Sequence, residues 1–259
     1  MNVYTFIYSV TAIYFKTKND MEQIKQKNEI TDLGKNRRVF LKTAGTAAVA
    51  SVILISCKKK DDPAPSNPNM GVDLGSGDTG ILNYAYALEQ LEAAFYTDVV
   101  ANTKFTTNFN SSEQKLFKDI KAHEIVHRDF LKAALGASAI PALEVNFTSI
   151  DFGSRSSVLN TAKAFEDLGV SAYNGAGKLI SNTANGLVYL GLAGKIVSVE
   201  GRHAAAIRDL LNPKSADFSG DDVVDPTTGL DGAKTPSQVL AIAGTYIKTK
   251  INASNLPTV

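Results

Sequence analysis

Apolar residues recur at helical spacing in four long stretches of the chain. In the first stretch, Leu88, Leu91 and Phe95 are three or four residues apart, so they lie on one face of an α-helix. Phe165 and Leu168 keep the same spacing in the third stretch. The pattern predicts helices over residues 78–102, 112–135, 154–183 and 186–211. One face of each helix is therefore expected to be buried in a shared core.

Residues with strong positional preferences mark the ends of these helices. Asp78 is a candidate N-cap for the first helix, and the segment SSEQ at 111–114 is a capping-box pattern that opens the second. Gly136 is expected to end the second helix, and Pro213 lies just beyond the fourth. Because only the short turn at 182–186 joins the third and fourth helices, these two are expected to be antiparallel neighbours.

The connection between the second and third helices is much longer, about 18 residues, and includes the β-prone segment 143–150. A 25-residue helix is about 37 Å long, whereas 18 extended residues reach up to about 60 Å. The connection can therefore cross the whole bundle. We predict an all-α four-helix bundle with one long crossover, followed by a loop at 212–234 and a fifth helix from Thr235 to about 251.

Two copies of one short motif lie in the second and fourth predicted helices. Glu124 and His127 form one Glu-x-x-His motif, and Glu200 and His203 form the other. Residues i and i+3 of a helix share a face, so each motif directs a carboxylate and an imidazole to the same place. The chain has only 3 histidines, and two of them belong to these motifs. This pattern favours a metal half-site on each of the two helices.

The helix before each motif also matches its counterpart. The segment ALEQLEAAFY, which contains Glu89, aligns without gaps on the segment AFEDLGVSAY, which contains Glu166. Both segments end in a tyrosine, Tyr96 in the first and Tyr173 in the second. Nearly the same number of residues separates each of these glutamates from the motif that follows it. The chain therefore contains an internal duplication of a helical hairpin.

Helices that each contribute one matched glutamate, Glu89 or Glu166, and that alternate with Glu-x-x-His helices resemble the ferritin-like di-iron carboxylate superfamily. The segment LEQLEAAFY at 88–96 is similar to the branch that includes desiccation-related proteins and exported bacterial ferritin-like domains. The resemblance covers roughly residues 78–211 and implies a core site for two divalent metal ions, with iron favoured over manganese. The implied ligands are Glu89, Glu124, His127, Glu166, Glu200 and His203.

The charges of this ligand set suit two divalent ions. Four carboxylates offset the charge of the two ions, so the filled site is neutral when the imidazoles are neutral. Without metal the carboxylates would repel one another, and some of them would take up protons. The resemblance also implies that Glu124 and Glu200 bridge the ions, whereas Glu89 and Glu166 each bind one ion.

Several residues beside the motifs leave alternatives open. Tyr96 and Tyr173 are candidate catalytic residues, as hydrogen-bond or electron donors to the site, although core packing is the favoured explanation. Glu92 is a candidate extra ligand, proton relay or intrahelical partner. Asp167 is a candidate to orient an imidazole. His123 points about 100° away from the neighbouring glutamate, so we expect it at the surface.

The N-terminal part of the chain predicts export and lipid attachment. The segment NRRVFLK at 36–42 resembles a twin-arginine signal, and residues 43–56 form an apolar stretch too short to span a bilayer comfortably. This stretch ends in LISC, which resembles a lipoprotein cleavage box with Cys57 as the lipidated residue. The alternative is a membrane-anchoring helix with an incidental cysteine. Met21 is a candidate start, which would make residues 1–20 an extension of the gene model.

The predicted organisation is a signal region at 1–56, a flexible tether at 57–77, the bundle at 78–211 and the loop with the fifth helix at 212–259. Residues 1–56 carry a net charge of +4 and the remainder −3, so nothing in the mature part is basic enough to suggest nucleic acid. The single cysteine excludes an internal disulfide and cysteine-rich metal sites. The aspartates of the 212–234 loop lack EF-hand spacing, so a solvated loop is favoured over a calcium site.

These features favour a membrane-anchored lipoprotein of the bacterial cell envelope, in the periplasm or at the cell surface. The first hypothesis is a redox enzyme with a di-iron or di-manganese centre that oxidises Fe²⁺ or reduces O₂ or peroxide in stress protection. The second hypothesis is a non-enzymatic stress or scaffold protein with a structural or vestigial metal site. A storage cage is the weakest hypothesis, because a lipid and a tether on every subunit do not suit a closed protein shell. A homodimer is compatible with the first two hypotheses.

Overall fold

Four long helices account for most of the residues that the structure describes. The computed structural model describes residues 71–258, so the twin-arginine segment, Cys57 and residues 57–70 of the predicted tether lie outside the described residues. The long helices are α1 (Gly77–Ala101), α3 (Ser111–Leu135), α4 (Arg155–Gly177) and α5 (Ala184–Leu211). The short elements are α2 (Phe105–Asn108), α6 (Pro236–Ala243), β1 (Val72–Asp73) and β2 (Ile251–Asn252). The predicted all-α bundle with one further C-terminal helix is therefore confirmed.

The long helices form two hairpins, one for each half of the duplication. α1 packs along α3, α4 packs along α5, and the hairpins meet where α1 contacts α4. Fully buried side chains between the helices include Phe95, Phe117, Ile120 and Ile207. Burying a side chain of this kind contributes about 1.5–3 kcal/mol to the stability of the fold, because its apolar surface leaves water. Over residues 71–258, none of the helices has both the length and the apolar character needed to cross a membrane.

The long connection between α3 and α4 contributes to the core as it crosses the bundle. Its Phe147 and Phe152 lie 6.1 and 5.9 Å, between ring centroids, from Phe95 on α1. The β-prone part of the connection makes one isolated antiparallel bridge, from Val145 to Ile247, in place of a strand. The crossover and the C-terminal segment are thereby held on the same side of the aromatic core.

Two helix starts differ from the predicted caps. Ser76 occupies the N-cap position of α1, and Asp78 lies in the first turn, where its carboxylate accepts hydrogen bonds from the backbone and hydroxyl of Ser181 at 2.7 and 2.6 Å. At α3 the capping box uses Asn110, whose side chain accepts from Ser112 N and Glu113 N. Only Asn110 caps its helix through its side chain, because the Ser76 side chain makes no capping hydrogen bond.

Two helix ends come earlier than predicted. α4 ends at Gly177 rather than 183, because the following residues turn back so that Ser181 reaches Asp78 on α1. α6 ends at Ala243 rather than near 251, and the chain beyond it forms β2, which pairs in parallel with β1. β1 and the fully buried Leu74 belong to the stretch predicted as tether, so the described part of that stretch packs on the bundle.

Gly175 allows the loop after α5 to approach α4 closely. A Cβ at this position would lie 1.7 Å from the carbonyl oxygen of Lys234, whose N–H donates to Ser171 O at 2.9 Å. We expect Gly175→Ala to destabilise the protein by about 1–3 kcal/mol or more, because the backbone must move to admit the methyl group. Urea unfolding followed by circular dichroism measures the change.

Gly191→Ala on α5 is the matched control for this prediction. A Cβ at Gly191 meets no atom within 4 Å, so the helix preference of alanine should stabilise the protein by up to about 1 kcal/mol. Equal stability of the two variants would contradict the close docking of Lys234 on α4.

Candidate metal centre

The four long helices bring six side chains together at one place in the core. Their ligand atoms form two overlapping groups, and within each group all atoms lie within 4.8 Å of one another. The groups are Glu89, Glu124, His127 and Glu200, and Glu124, Glu166, Glu200 and His203. The four glutamates are 0% exposed. We call these six residues the Glu–His cluster, and they include every ligand that the resemblance implies.

Glu124 and Glu200 belong to both groups and lie between the two imidazoles. His127 Nδ1 is 2.9 Å from Glu200 Oε1 but 3.5 Å from Glu124 Oε2 of its own motif. His203 Nδ1 is 2.8 Å from Glu124 Oε1 but 3.7 Å from Glu200 Oε2. Each imidazole is therefore closer to the carboxylate of the opposite motif than to its own. Glu124 and Glu200 are thus the two residues for which the resemblance implies a bridging role.

Eight polar atoms of the Glu–His cluster are buried without a hydrogen-bond partner. They are Glu89 Oε2, Glu166 Oε2, both carboxylate oxygens of Glu124 and of Glu200, and Nδ1 of His127 and of His203. The short nitrogen–oxygen contacts between them lack hydrogen-bond geometry. Among the other side chains of residues 71–258, only the Tyr84 hydroxyl is also buried without a hydrogen-bond partner.

Buried polar atoms normally have partners, because leaving water without a replacement bond is unfavourable. The eight atoms of the Glu–His cluster converge on one buried place, and two cations bound there would give them partners. Carboxylate oxygens combined with imidazole nitrogens suit iron and manganese. The residues present therefore fit a pair of divalent metal ions.

The two predicted tyrosines cross between the hairpins. Tyr96 on α1 donates its hydroxyl proton to Glu166 Oε1 on α4, and Tyr173 on α4 donates to Glu89 Oε1 on α1. Each tyrosine thus contacts the glutamate of the other hairpin, and not the one two turns away on its own helix. Burial and the adjacent carboxylate raise the pKa of both hydroxyls well above their usual range, so both remain donors. The Oε2 atom of each glutamate stays free to face the cluster.

Without cations, the Glu–His cluster holds protons at neutral pH. Burial raises the pKa of Glu89 well above its usual range and that of Glu166 to about 8. Burial also acts to raise the pKa of Glu124, but its contacts with the two imidazoles outweigh this effect and lower the pKa to about 2. Burial acts to lower the pKa of His127 and His203, yet the facing carboxylates raise both to about 12. Cations must therefore displace protons when they bind.

Glu92 lies beside the Glu–His cluster, in space that is open because Gly169 has no side chain. A Cβ at Gly169 would lie 3.0 Å from Glu92 Oε1 and 3.8 Å from Glu200 Oε2. Gly169 is the position in the second half that corresponds to Glu92, so the duplication is asymmetric here. Burial and then the charges of Glu200 and Glu124 raise the pKa of Glu92 well above its usual range. Glu92 is therefore a buried neutral acid outside both ligand groups.

Asp167 does not have the role that the sequence suggested. Both of its oxygens accept hydrogen bonds from Arg208 on α5, at 2.8 and 2.7 Å, and not from an imidazole. Arg208 also donates to Asp222 in the loop after α5, at 2.9 and 2.8 Å, and these bonds lower the pKa of Asp222 to about 2. Asp167 thus helps to attach this loop to the bundle.

His123 is exposed, as expected, but it also reaches the Glu–His cluster. Its Nδ1 lies 2.9 Å from Nε2 of His203, and the two ring planes are nearly parallel, with centroids 5.2 Å apart. His123, His127, His203 and Val199 line a groove on the outside of α3 and α5. Val126, which directly precedes His127 in the chain, is 63% exposed on the same groove. The separation of four residues between His123 and His127 was the sequence feature that could have indicated a shared face.

The comparison with known families agrees with this geometry. A search of curated proteins finds no match. A family model described as a ferritin-like domain matches residues 77–213, which is more than half of the chain. The match runs from the start of α1 to just beyond α5, so it covers all four helices that carry the Glu–His cluster. The chain therefore belongs to the ferritin-like domain family.

Proposed function

We propose that this protein is an exported oxidoreductase that uses two cations in the Glu–His cluster to oxidise Fe²⁺ or to reduce O₂ or peroxide. The observation that carries the proposal is the convergence of eight unpartnered polar atoms from four helices at one buried place. When bound, two adjacent redox-active metal ions supply reversible one-electron changes that together make a two-electron reaction. Iron is the proposed metal, with manganese second, because the donor set suits both.

Each half of the cluster would hold one cation. Glu89 and His127 would bind the first, Glu166 and His203 the second, and Glu124 and Glu200 would be shared. Four carboxylates offset the charge of two divalent cations, which removes the repulsion that the buried acids would otherwise feel.

Other residues of the chain prepare this site for its cations. The hydroxyls of Tyr96 and Tyr173 hold one oxygen of Glu166 and of Glu89, which directs the other oxygen to the cluster. Glu92 keeps a proton close to Glu200 without occupying a ligand position. The groove beside His123 gives small reactants a route to the edges of the imidazoles.

The proposed location rests on sequence features that lie outside the described residues. Twin-arginine export carries folded proteins, as the resemblance implies, so a site loaded with metal in the cytoplasm would survive transport. Cys57 would then carry a lipid and anchor the protein to a membrane of the cell envelope. A role in stress protection, as in the desiccation-related branch, is part of the same proposal.

A non-enzymatic scaffold is the second candidate. The observation in its favour is that imidazoles and carboxylates already face one another at 2.8 and 2.9 Å, so protons can balance the charge without metal. In that function a metal would be structural or absent, and the bundle itself would provide the binding surface.

Metal content and reactivity of the full chain, folded in the cytoplasm, distinguish the two candidates. We expect about two iron or manganese ions per chain and an absorbance change when O₂ or peroxide is added to the reduced protein. Glu144→Gln, which removes an exposed carboxylate paired with Lys248, should change neither result. Two ions without turnover would support the scaffold, and absence of bound metal would contradict the di-metal site.

A further inference from the structure

The two imidazoles of the cluster have different surroundings at their outer edges. On His203, Nδ1 lies 2.8 Å from Glu124 and 3.5 Å from Glu166, while Nε2 lies 2.9 Å from Nδ1 of His123. The rings of His203 and His123 are nearly parallel, with 9° between their planes. On His127, Nδ1 also faces the cluster, but its outer edge lines the groove and has no hydrogen-bond partner within residues 71–258.

The direction of the bond between His203 and His123 follows from the chemistry of the cluster. A nitrogen that binds a cation must present its lone pair, so Nδ1 of a ligating His203 carries no proton. The proton of the neutral imidazole then lies on Nε2, which becomes the donor. Nδ1 of His123 must accept this bond, which requires a neutral ring.

The duplication shows that this contact belongs to only one half of the protein. His123 directly precedes Glu124, and the corresponding residue directly before Glu200 is Val199. Both residues line the groove beside the imidazoles. Valine has no polar side-chain atom, so His127 finds no acceptor at the corresponding position. The two halves keep the same ligands but differ in what orients them.

We propose that His123 is a positioning residue that fixes the tautomer and ring orientation of His203. It thereby strengthens cation binding in the half formed with Glu166 relative to the half formed with Glu89. Loss of a group that orients a metal-binding histidine typically lowers metal affinity by about 10–100-fold. The inference rests on the proposed di-metal site, but metal affinity and tautomer can both be measured without turnover.

Two substitutions of nearly equal shape test this proposal. His123→Asn places Oδ1 close to the position of the Nδ1 acceptor, whereas His123→Leu has the same branching and no acceptor. His123 is exposed, so neither change should disturb the fold. In competition titrations of the metal-free full chain with Zn²⁺ and a chelator, we expect His123→Leu to weaken one of two binding steps by about 10–100-fold. His123→Asn should restore nearly the affinity of the unaltered protein.

Nitrogen NMR of labelled histidine provides the second measurement. The chain has 3 histidines, so each ring can be resolved in the zinc-loaded protein. We expect metal on Nδ1 of His203, a proton on its Nε2, and faster solvent exchange of that proton in His123→Leu. Binding of zinc through Nε2, unaltered affinity in His123→Leu, or equal weakening by both variants would overturn the role of His123 alone. Failure of the unaltered chain to bind zinc would overturn the di-metal site as well.

Discussion

Replacing Glu200 with glutamine is expected to remove both cations from the protein. Glu200 belongs to both ligand groups, and both of its oxygens are buried without a hydrogen-bond partner. Loss of this direct ligand should lower the affinity for each cation by at least about 100-fold. Glu89 belongs to one group, so Glu89→Gln should remove only one of the two cations. Metal analysis after gel filtration with a weak chelator measures both results.

The metal-free form of Glu200→Gln provides a control for folding. Glutamine preserves the shape of the side chain, although it removes the carboxylate nearest to the imidazole of His127. The metal-free variant should therefore still unfold in one cooperative transition, at a urea concentration equal to or lower than that for the metal-free unaltered protein. Retention of one cation by Glu200→Gln and loss of both by Glu89→Gln would reverse the assignment of shared and single ligands.

The metal-free protein is expected to lose stability as the pH rises from about 6.5 to 9. Burial raises the pKa of Glu166 from 4.5 to about 8, and the carboxylates facing His127 and His203 raise their pKa from 6.5 to about 12, against the effect of burial. In each case the folded state holds a proton that the unfolded state releases, so the stabilisation is complete below the unfolded pKa and declines above it. The lowered pKa of Glu124 has the opposite effect, but only below about 4.5.

Urea unfolding at several pH values tests this dependence. With a chelator present, the free energy of unfolding should fall steadily from pH 6.5 to 9. With two equivalents of a divalent cation the fall should be absent or reversed, because binding displaces the same protons and strengthens with pH. Metal-free protein that is as stable at pH 9 as at pH 6.5 would show that the cluster is not the buried, proton-holding group described above.

Local patterns along the chain predicted the helices well and their ends less well. The stripe through Leu88, Leu91 and Phe95 depends only on helical spacing, and those residues are buried in α1. The end of α4 depends instead on Ser181 contacting Asp78, which is about one hundred residues away in sequence. Propensities of neighbouring residues contain no information about such a contact.

The candidate ligands could be proposed from sequence because each half-site is local. Glu124 with His127 and Glu200 with His203 share a face through one turn of helix, and the duplication supplied the two remaining glutamates. Neither pattern specifies which carboxylate faces which imidazole. The structure shows the opposite motifs paired across the bundle, with His127 nearest Glu200 and His203 nearest Glu124.

Helical periodicity and repetition along the chain were thus sufficient to predict the helices and the two Glu-x-x-His motifs, because both act over one or two turns of a helix, and the family resemblance implied the full set of six candidate ligands. The rotation and spacing of the packed helices decided the remainder. They bring Tyr96 to Glu166 and place His123 against His203. These partners lie on different helices, and side chains on different helices meet only when packing fixes the distance between their axes and the direction in which each face points.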